Sequence, residues 1–505
     1  MLFNSLEFIL LFLPLTLLLW RLALGWGGLR PALALLVAGS LLFYGWWNPA
    51  YLPGLVASIL LNFWIGRQIL NALAAGRKPL ATRWLQLGLV FDLAVLGVFK
   101  YAYFIADNLA VLGGWHVPFA PLLLPLGISF ITFQQLAYLI DCRRGQVRDH
   151  GLLDYLVFIS FFPQLIAGPI VHHRPLIAQL DTARNPLLPT RDHWPLAVTL
   201  FALGLFKKVA LADTLARYAT PAFEAAALGP VSGDLAWQGM LAYSLQLYFD
   251  FSGYSDMALG LGLLFGLKLP VNFDSPYRAR SIIDFWRRWN ITLSHFLRDY
   301  VYIPLGGNRL GAGRRRLNLL ATMLLGGLWH GAGWTFVLWG GLHGGLLLIN
   351  HAWRDRCARS QRLGTLAARV PTPVWIGLTF LLTALAWVPF RAPSFAAALN
   401  LYAGLPDLGA LFAALGTAPW WPTPAFWQGW LDADPALAWA WIALGLMIVW
   451  GLPTGWRWVG YDPEPNRPLK RRSGVFQGII AGLLLWIALK TLLTAPASEF
   501  LYFNF

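Results

Sequence analysis

Nine histidines occur in the chain, and two of them stand where an imidazole is costly to keep. His330 lies in Gly326-Gly327-Leu328-Trp329-His330-Gly331-Ala332, and His343 in Trp339-Gly340-Gly341-Leu342-His343-Gly344-Gly345. Both segments are apolar apart from the histidine. Ionisable residues inside apolar spans mark functional sites by default. The flanking glycines permit close backbone approach, by another helix or by a substrate. Such an imidazole suits a general base reached through a narrow tunnel. It equally suits a histidine that bonds a neighbouring helix. The residues leave both readings open for His330 and favour the structural one for His343. His116, His150, His172, His173, His193 and His351 fall in loops or at span ends and read as interfacial, as does His295 in a basic stretch.

A second polar cluster precedes that stretch. Asp250, Tyr254 and Asp256 interrupt an otherwise apolar helix, and Asn272-Phe273-Asp274-Ser275-Pro276-Tyr277 follows. Next comes Phe285-Trp286-Arg287-Arg288-Trp289-Asn290-Ile291-Thr292-Leu293-Ser294. Two aspartates at membrane depth need partners, and Arg287 or Arg288 would supply them. Arginines at a cytoplasmic entrance also suit a phosphate-bearing donor such as coenzyme A. Ordinary basic anchoring accounts for most of the nine arginines between Arg278 and Arg316.

Other chemistries lack their residues. His330 and His343 have no carboxylate or cysteine near them in sequence, so no metal site is expected. Gly-x-Ser-x-Gly and the phosphate-loop pattern do not occur. Cys142 and Cys357 sit beside arginines and read as reduced thiols.

The elements that must position these groups are membrane spans. The chain is 58% hydrophobic and 12% charged over 505 residues, more apolar surface than a soluble core of this size hides. The net charge of +15 lies between apolar stretches, as in cytoplasmic loops, and does not call for nucleic acid. Met1 to Trp20 reads as a retained first span without a cleavage site. Leu6–Trp20, Pro31–Trp47, Leu52–Ile65, Trp84–Ile105 and Pro121–Ile140 are the first five candidate spans. Basic residues follow the first, third and fifth, which places the N-terminus outside. Leu152–Val171, Leu196–Ala212 and Trp237–Phe265 contain glycine, proline and polar residues, and Pro125, Gly127, Pro163, Gly168 and Pro169 predict broken or re-entrant helices around a cavity. Later spans are Leu317–Leu338, Trp339–Ala352, Pro373–Phe390, Ala436–Trp450 and Val475–Leu493. Between Pro393 and Asp434 a Trp- and Pro-rich loop is expected to cap the outer face. Arg457, Arg467, Lys470, Arg471 and Arg472 mark the last cytoplasmic loop, so the tail from Glu499 to Phe505 exits outward. One domain over 1–505 is the simplest account: N-terminal spans to 120, a core over 121–355, then C-terminal spans and tail.

At this point the sequence resembles a known family. Met1-Leu2-Phe3-Asn4-Ser5, Phe43-Tyr44-Gly45-Trp46-Trp47, Pro125-Leu126-Gly127-Ile128-Ser129-Phe130 and Phe162-Pro163-Gln164-Leu165-Ile166-Ala167-Gly168-Pro169 carry the likeness. So do Asp250-Phe251-Ser252-Gly253-Tyr254-Ser255-Asp256, Arg298-Asp299-Tyr300-Val301-Tyr302-Ile303-Pro304-Leu305-Gly306-Gly307-Asn308 and Leu325-Gly326-Gly327-Leu328-Trp329-His330-Gly331-Ala332. The chain resembles the membrane-bound O-acyltransferases, in their bacterial alginate O-acetylase branch. The resemblance implies an all-α polytopic fold, a ring of roughly 11–14 transmembrane or re-entrant helices around a central tunnel. It implies that His330 is catalytic and that the second polar position falls on Asn290, where bacterial relatives often carry histidine. Asn290 can hold a carbonyl or oxyanion and cannot take a proton. His295, five residues on, points to another helix face. Asp250, Tyr254, Asp256, Arg287, Trp329 and His343 become candidates for the donor tunnel.

The implied reaction moves an acetyl group from cytoplasmic acetyl-CoA across a bacterial inner membrane, with no tightly bound cofactor. The acceptor is an exported polysaccharide, alginate foremost, reached through a periplasmic acetyltransferase partner. Tyr502 in the aromatic tail is a candidate acyl carrier, against an interfacial anchor. Peptidoglycan or cellulose O-acetylation and D-alanyl transfer are rival tasks within the family. A transporter is the rival outside it, and no inverted repeat supports one.

Overall fold

A bilayer offers no water to backbone amides and carbonyls, so apolar chain there must close its own hydrogen bonds. The computed structural model describes all residues except 149, 181–192, 419–436, 465–473, 495–497 and 502–505. The described residues form helices and connecting coil, with no strand among them. Six helices are long and apolar enough to cross a membrane, and a pair bent by 69°, Phe395–Gly404 with Leu408–Thr417, would make a seventh. Leu10, Leu18, Val90, Leu93, Ile479 and Trp486 stand exposed on these helices, as lipid-facing residues must.

The first helices are α1 (Phe8–Gly27), α2 (Leu29–Gly45), α3 (Pro49–Ala74) and α4 (Lys78–Gly113). Helix α4 runs beyond both ends of the predicted span Trp84–Ile105 and passes through a π-helical turn at Gly97–Tyr101. Helix α5 (Ile128–Arg143) begins at Gly127, which takes a left-handed φ of 69°. A Cβ at Gly127 would also press on the Leu165 carbonyl, 2.7 Å away. The expected breaks around Pro125, Pro163 and Pro169 are present: α6 (Leu152–Ser160) gives way to the short turn Phe162–Leu165 and then to buried coil.

The two other glycine-containing segments fold without a break. Helix α7 (Trp194–Leu228) runs on through a second π segment, Lys207–Ala212, and α8 (Gly233–Leu264) is one uninterrupted helix of 32 residues. Glycine breaks a helix only when nothing packs on it. Here Gly253 lies on α7 instead, where a side chain would press on the Gly204 carbonyl, 2.7 Å away. Helix α8 is buried along nearly its whole length and forms the axis of the core.

The basic stretch folds as coil, short turns and α9 (Ile291–Leu297). Helices α10 (Gly311–His330) and α11 (Trp334–Arg359) then form a hairpin. The break falls at Gly331–Gly333, not at Leu338–Trp339 as the apolar runs suggested. Gly331 and Gly333 are both extended, with φ −162° and −163°. After α12 (Gln361–Arg369) and α13 (Thr372–Arg391) come α14 (Phe395–Gly404) and α15 (Leu408–Thr417). The expected irregular cap is therefore helical over this part, and its remainder lies outside the described residues. Helices α16 (Ala438–Gly451) and α17 (Val475–Thr494) complete the fold. Arg467, Lys470, Arg471, Arg472 and Tyr502 lie outside the described residues.

Candidate active site

His330 is the last residue of α10, so the carbonyls of its turn have no partner within the helix. They are taken by side chains from α4. Tyr101 Oη donates to the Leu328 carbonyl at 2.8 Å, and Lys100 Nζ donates to the Trp329 carbonyl at 2.5 Å and, at 3.4 Å, to that of His330. Lys100 also bonds Ser129 Oγ at 3.2 Å, at the start of α5. A cation at a helix C-terminus is favoured by the helix dipole. Lys100 and Tyr101 sit on the π turn of α4, the kind of local widening that recurs at functional sites. Three helices thus converge on the backbone of His330.

The imidazole of His330 is enclosed by aromatic rings, with Trp329, Trp339 and Phe390 at 4.8, 5.0 and 5.1 Å between centroids. His343 shares Trp339 at 5.0 Å and is boxed by Phe285, Trp286 and Trp387. It is 0% exposed, and neither ring nitrogen has a hydrogen-bond partner among the described residues. The glycines flanking the histidines serve the hairpin: Gly327 lies on Gly340, with a hypothetical Cβ 3.2 Å from the Gly340 Cα.

Asn290 precedes α9 and adopts φ 42°, ψ 56°. Among the described residues only Asn290 and Ser275 have positive φ without being glycine. Such a backbone must be held by its surroundings and is common at active sites. It is held: Ile291 N donates to the Asn272 carbonyl at 3.0 Å, Thr292 Oγ1 to Asn272 Oδ1 at 2.6 Å, and Ile170 N to Thr292 Oγ1 at 3.0 Å. Trp289, one residue earlier, packs on Trp387 at 4.9 Å, and Trp387 stacks on Trp339 at 5.5 Å. That ring series joins Asn290 to His330.

The site is rich in donors without acceptors. Asn290 Nδ2 and the indole nitrogens of Trp286, Trp329, Trp339 and Trp387 are buried with no partner among the described residues. Buried polar groups are normally satisfied, so this set fits a guest that brings acceptor oxygens. A cavity of about 470 Å³ opens beside it, lined by Trp286, Arg287, His295, Arg298, Met323 and His351 among others. Trp286 belongs to both cavity and histidine box. Burial, and then repulsion from Arg298, lower the pKa of His295, which lines the cavity.

The aspartates fall elsewhere. Arg288 pairs with Asp284 at 2.8 Å, and Arg287 lines the cavity. The partners of Asp250 and Asp256 are Lys208 at 2.8 Å and Lys207 at 2.6 Å, on the π turn of α7 that packs against α8. The expectation of Arg287 or Arg288 is therefore corrected: the arginines sit in the loop, while the neighbouring helix supplies lysines at the depth of the acids. Tyr254 joins this second cluster through Phe500, 4.8 Å away. Lys100, Lys207 and Lys208 went unnoticed in the sequence. The signal was there, since each is a charge inside a predicted span, the rule that singled out His330.

A buried, glycine-flanked histidine among aromatic rings, inside a bundle of membrane-length helices, fits a membrane acyltransferase. The chain belongs to the membrane-bound O-acyltransferase (MBOAT) family, whose model matches residues 81–385. It is similar to the "Probable alginate O-acetylase AlgI" of Pseudomonas aeruginosa, 45% identical over 81% of this chain and 75% of that one. It is 42% identical to the "Peptidoglycan O-acetyltransferase" of Helicobacter pylori, over 81% of each chain. The "Teichoic acid D-alanyltransferase" of Streptococcus thermophilus is 34% identical over 45% of this chain and 57% of its own. The protein is a multi-pass membrane O-acyltransferase.

Proposed function

We propose that the protein takes an acetyl group from acetyl-CoA on the cytoplasmic side and passes it outward for O-acetylation of an exported polysaccharide, alginate first. The observation that carries this reading is His330, held at a helix end opposite buried donors that lack acceptors. Arg287 and Arg298 at the cavity suit the phosphates of coenzyme A, and the apolar walls suit its pantetheine arm. Asn290 Nδ2 donates to the thioester oxygen as it gains negative charge. His330 accepts the proton of the attacking hydroxyl; the C–S bond breaks, the C–O bond forms, and the proton passes to the leaving thiolate. Trp329 and His343 shape the chamber around the reacting carbonyl. Tyr502 is a candidate for the hydroxyl that receives the acetyl group before a periplasmic acetyltransferase moves it to the polymer.

Support for a polysaccharide acceptor comes from the two relatives named for O-acetylation, both covering 81% of this chain. The D-alanyl relative aligns over 45%. The N- and C-termini are assigned to the periplasmic side of a bacterial inner membrane.

The test is transfer of labelled acetyl from acetyl-CoA in membranes carrying wild type, His330→Ala or Asn290→Ala at matched expression. We expect loss with His330→Ala, by at least about a hundredfold. Transfer that persists in His330→Ala overturns the site. Label recovered in peptidoglycan and absent from alginate moves the acceptor to the second relative's class.

A further inference from the structure

Lys208 and Asp250 are each 2% exposed, so protein groups must satisfy both charges. An ammonium has three N–H donors and a carboxylate has two oxygens to satisfy. Two of the Lys208 donors go to Asp213 Oδ1 and Asp250 Oδ1, both at 2.8 Å. The third goes to the backbone carbonyl of Glu499, also at 2.8 Å. Asp250 Oδ2, the oxygen left over, accepts from the backbone N–H of Leu501 at 3.0 Å. The chain beyond α17 thus fills the remaining valences of both charges, using main-chain groups on either side of Phe500.

The side chain between those two bonds is equally well received. Phe500 is 1% exposed. Lys208 Nζ lies 4.9 Å from its ring centroid, and Tyr254 meets it edge-on at 4.8 Å. Tyr254 stacks in turn on Phe3 at 4.9 Å. Next to Phe3, Asn4 is fully buried and donates to the Ser498 carbonyl at 3.0 Å. Backbone groups, an aromatic ring and the N-terminal segment all grip the same four residues.

We infer that Lys208, Asp250, Tyr254 and Asn4 form a built receptor for the chain's own Ser498–Leu501 segment, and that this docking is required for acetyl to leave the protein toward the polymer. Without the segment, one donor of Lys208 and one oxygen of Asp250 would be stranded in an apolar interior, so the docked arrangement is the satisfied one. Tyr502, the candidate carrier, is the next residue in sequence after the docked Leu501. This consequence rests on the acyl-transfer reading above; the docking itself does not.

The experiment places a reporter cysteine at Leu501 (Leu501→Cys) in a chain with Cys142 and Cys357 replaced by serine, in native membranes. Its reaction with a membrane-impermeant maleimide is compared with that in the Lys208→Met/Asp250→Asn double variant. We expect labelling at least tenfold faster in the double variant. Because removing a buried pair can unfold the bundle, Phe500→Ala and Asn4→Ala are tested alongside. They leave the ion pair intact, and should also speed labelling while the solubilised protein stays monodisperse. Equal labelling rates in all variants overturn the docking. In the same membranes, release of coenzyme A and acetylation of polymer are measured separately. Phe500→Ala is expected to lower both at least tenfold, since the tail hydroxyl that takes the acetyl group from the thioester is no longer held. Undiminished polymer acetylation with a freed tail overturns its role in transfer. Absence of coenzyme A release in wild type would sink the donor reading while the labelling still decides the docking.

Discussion

Asn290 combines two features that separate in a mutant series. Its backbone is left-handed and its amide nitrogen has no partner among the described residues. Asn290→Gly keeps the backbone comfortable and deletes the donor. Asn290→Ala deletes the donor and adds about 1–2 kcal/mol of strain. Activity should fall about 10²–10³-fold in both, the range for an oxyanion donor, whereas the thermal midpoint should fall only in Asn290→Ala. Near-normal turnover in Asn290→Gly would show that only the backbone matters. Lys100 is the complementary case, a residue that acts through the backbone beside His330. Lys100→Met forfeits charge-assisted bonds of roughly 1.5–3 kcal/mol in a buried setting. The expected result is a kcat lower by about tenfold to a hundredfold with KM for acetyl-CoA nearly unchanged, and partial recovery in Lys100→Arg. A rise in KM alone would place Lys100 in donor binding instead. His330 and Asn290 were legible through the motifs that carry the family resemblance. Lys100 was legible as a charge inside a span, but its role was not, because its partners are main-chain carbonyls more than two hundred residues away.

Among the elements, the α10–α11 hairpin decides whether His330 exists as a site at all. Gly327 faces the Phe336 carbonyl and Gly340, and Gly340 faces the Met323 carbonyl, so neither has room for a methyl group. Gly345, on the same helix as Gly340, has nothing within 4 Å of a hypothetical Cβ. Gly340→Ala should therefore abolish activity and lower the yield of folded protein, while Gly345→Ala should be neutral in both, its helix propensity being better by about 1 kcal/mol. Similar behaviour of the two in a detergent thermal-shift and transfer assay would refute the crossing. Sequence patterning located both helices and both glycine groups. It placed the break at Leu338–Trp339, eight residues late, because hydropathy runs on through Gly331–Gly333 and only the chain reversal reveals the extended glycines. The glycines of α8 leave that helix whole and receive α7.

For the whole molecule, charge sets orientation and packing sets the route. In the proposed orientation, read from basic residues after alternate spans, the arginine-lined cavity opens to the cytoplasm. His116→Cys and Arg309→Cys, at exposed positions, should label from opposite faces of the membrane, His116→Cys from outside. Labelling from the same face would reverse the proposed direction of transfer. The site itself crosses every division drawn along the chain: Lys100 comes from the N-terminal spans, Asn290, His330 and His343 from the core, and Trp387 and Phe390 from the C-terminal spans.

The sequence by itself determined the solvent and the helical class, which follow from local composition and periodicity that a bilayer enforces span by span. The motif resemblance, not composition, pointed to His330 and Asn290. Only the tertiary structure decided which charges answer which. Lys208 rather than Arg287 meets Asp250, Lys100 caps the helix of His330, and Ser498–Leu501 returns to close the Lys208 cluster. Pairings of this kind depend on helix depth and azimuth. Those are fixed by close packing across distant segments, and no local pattern records them.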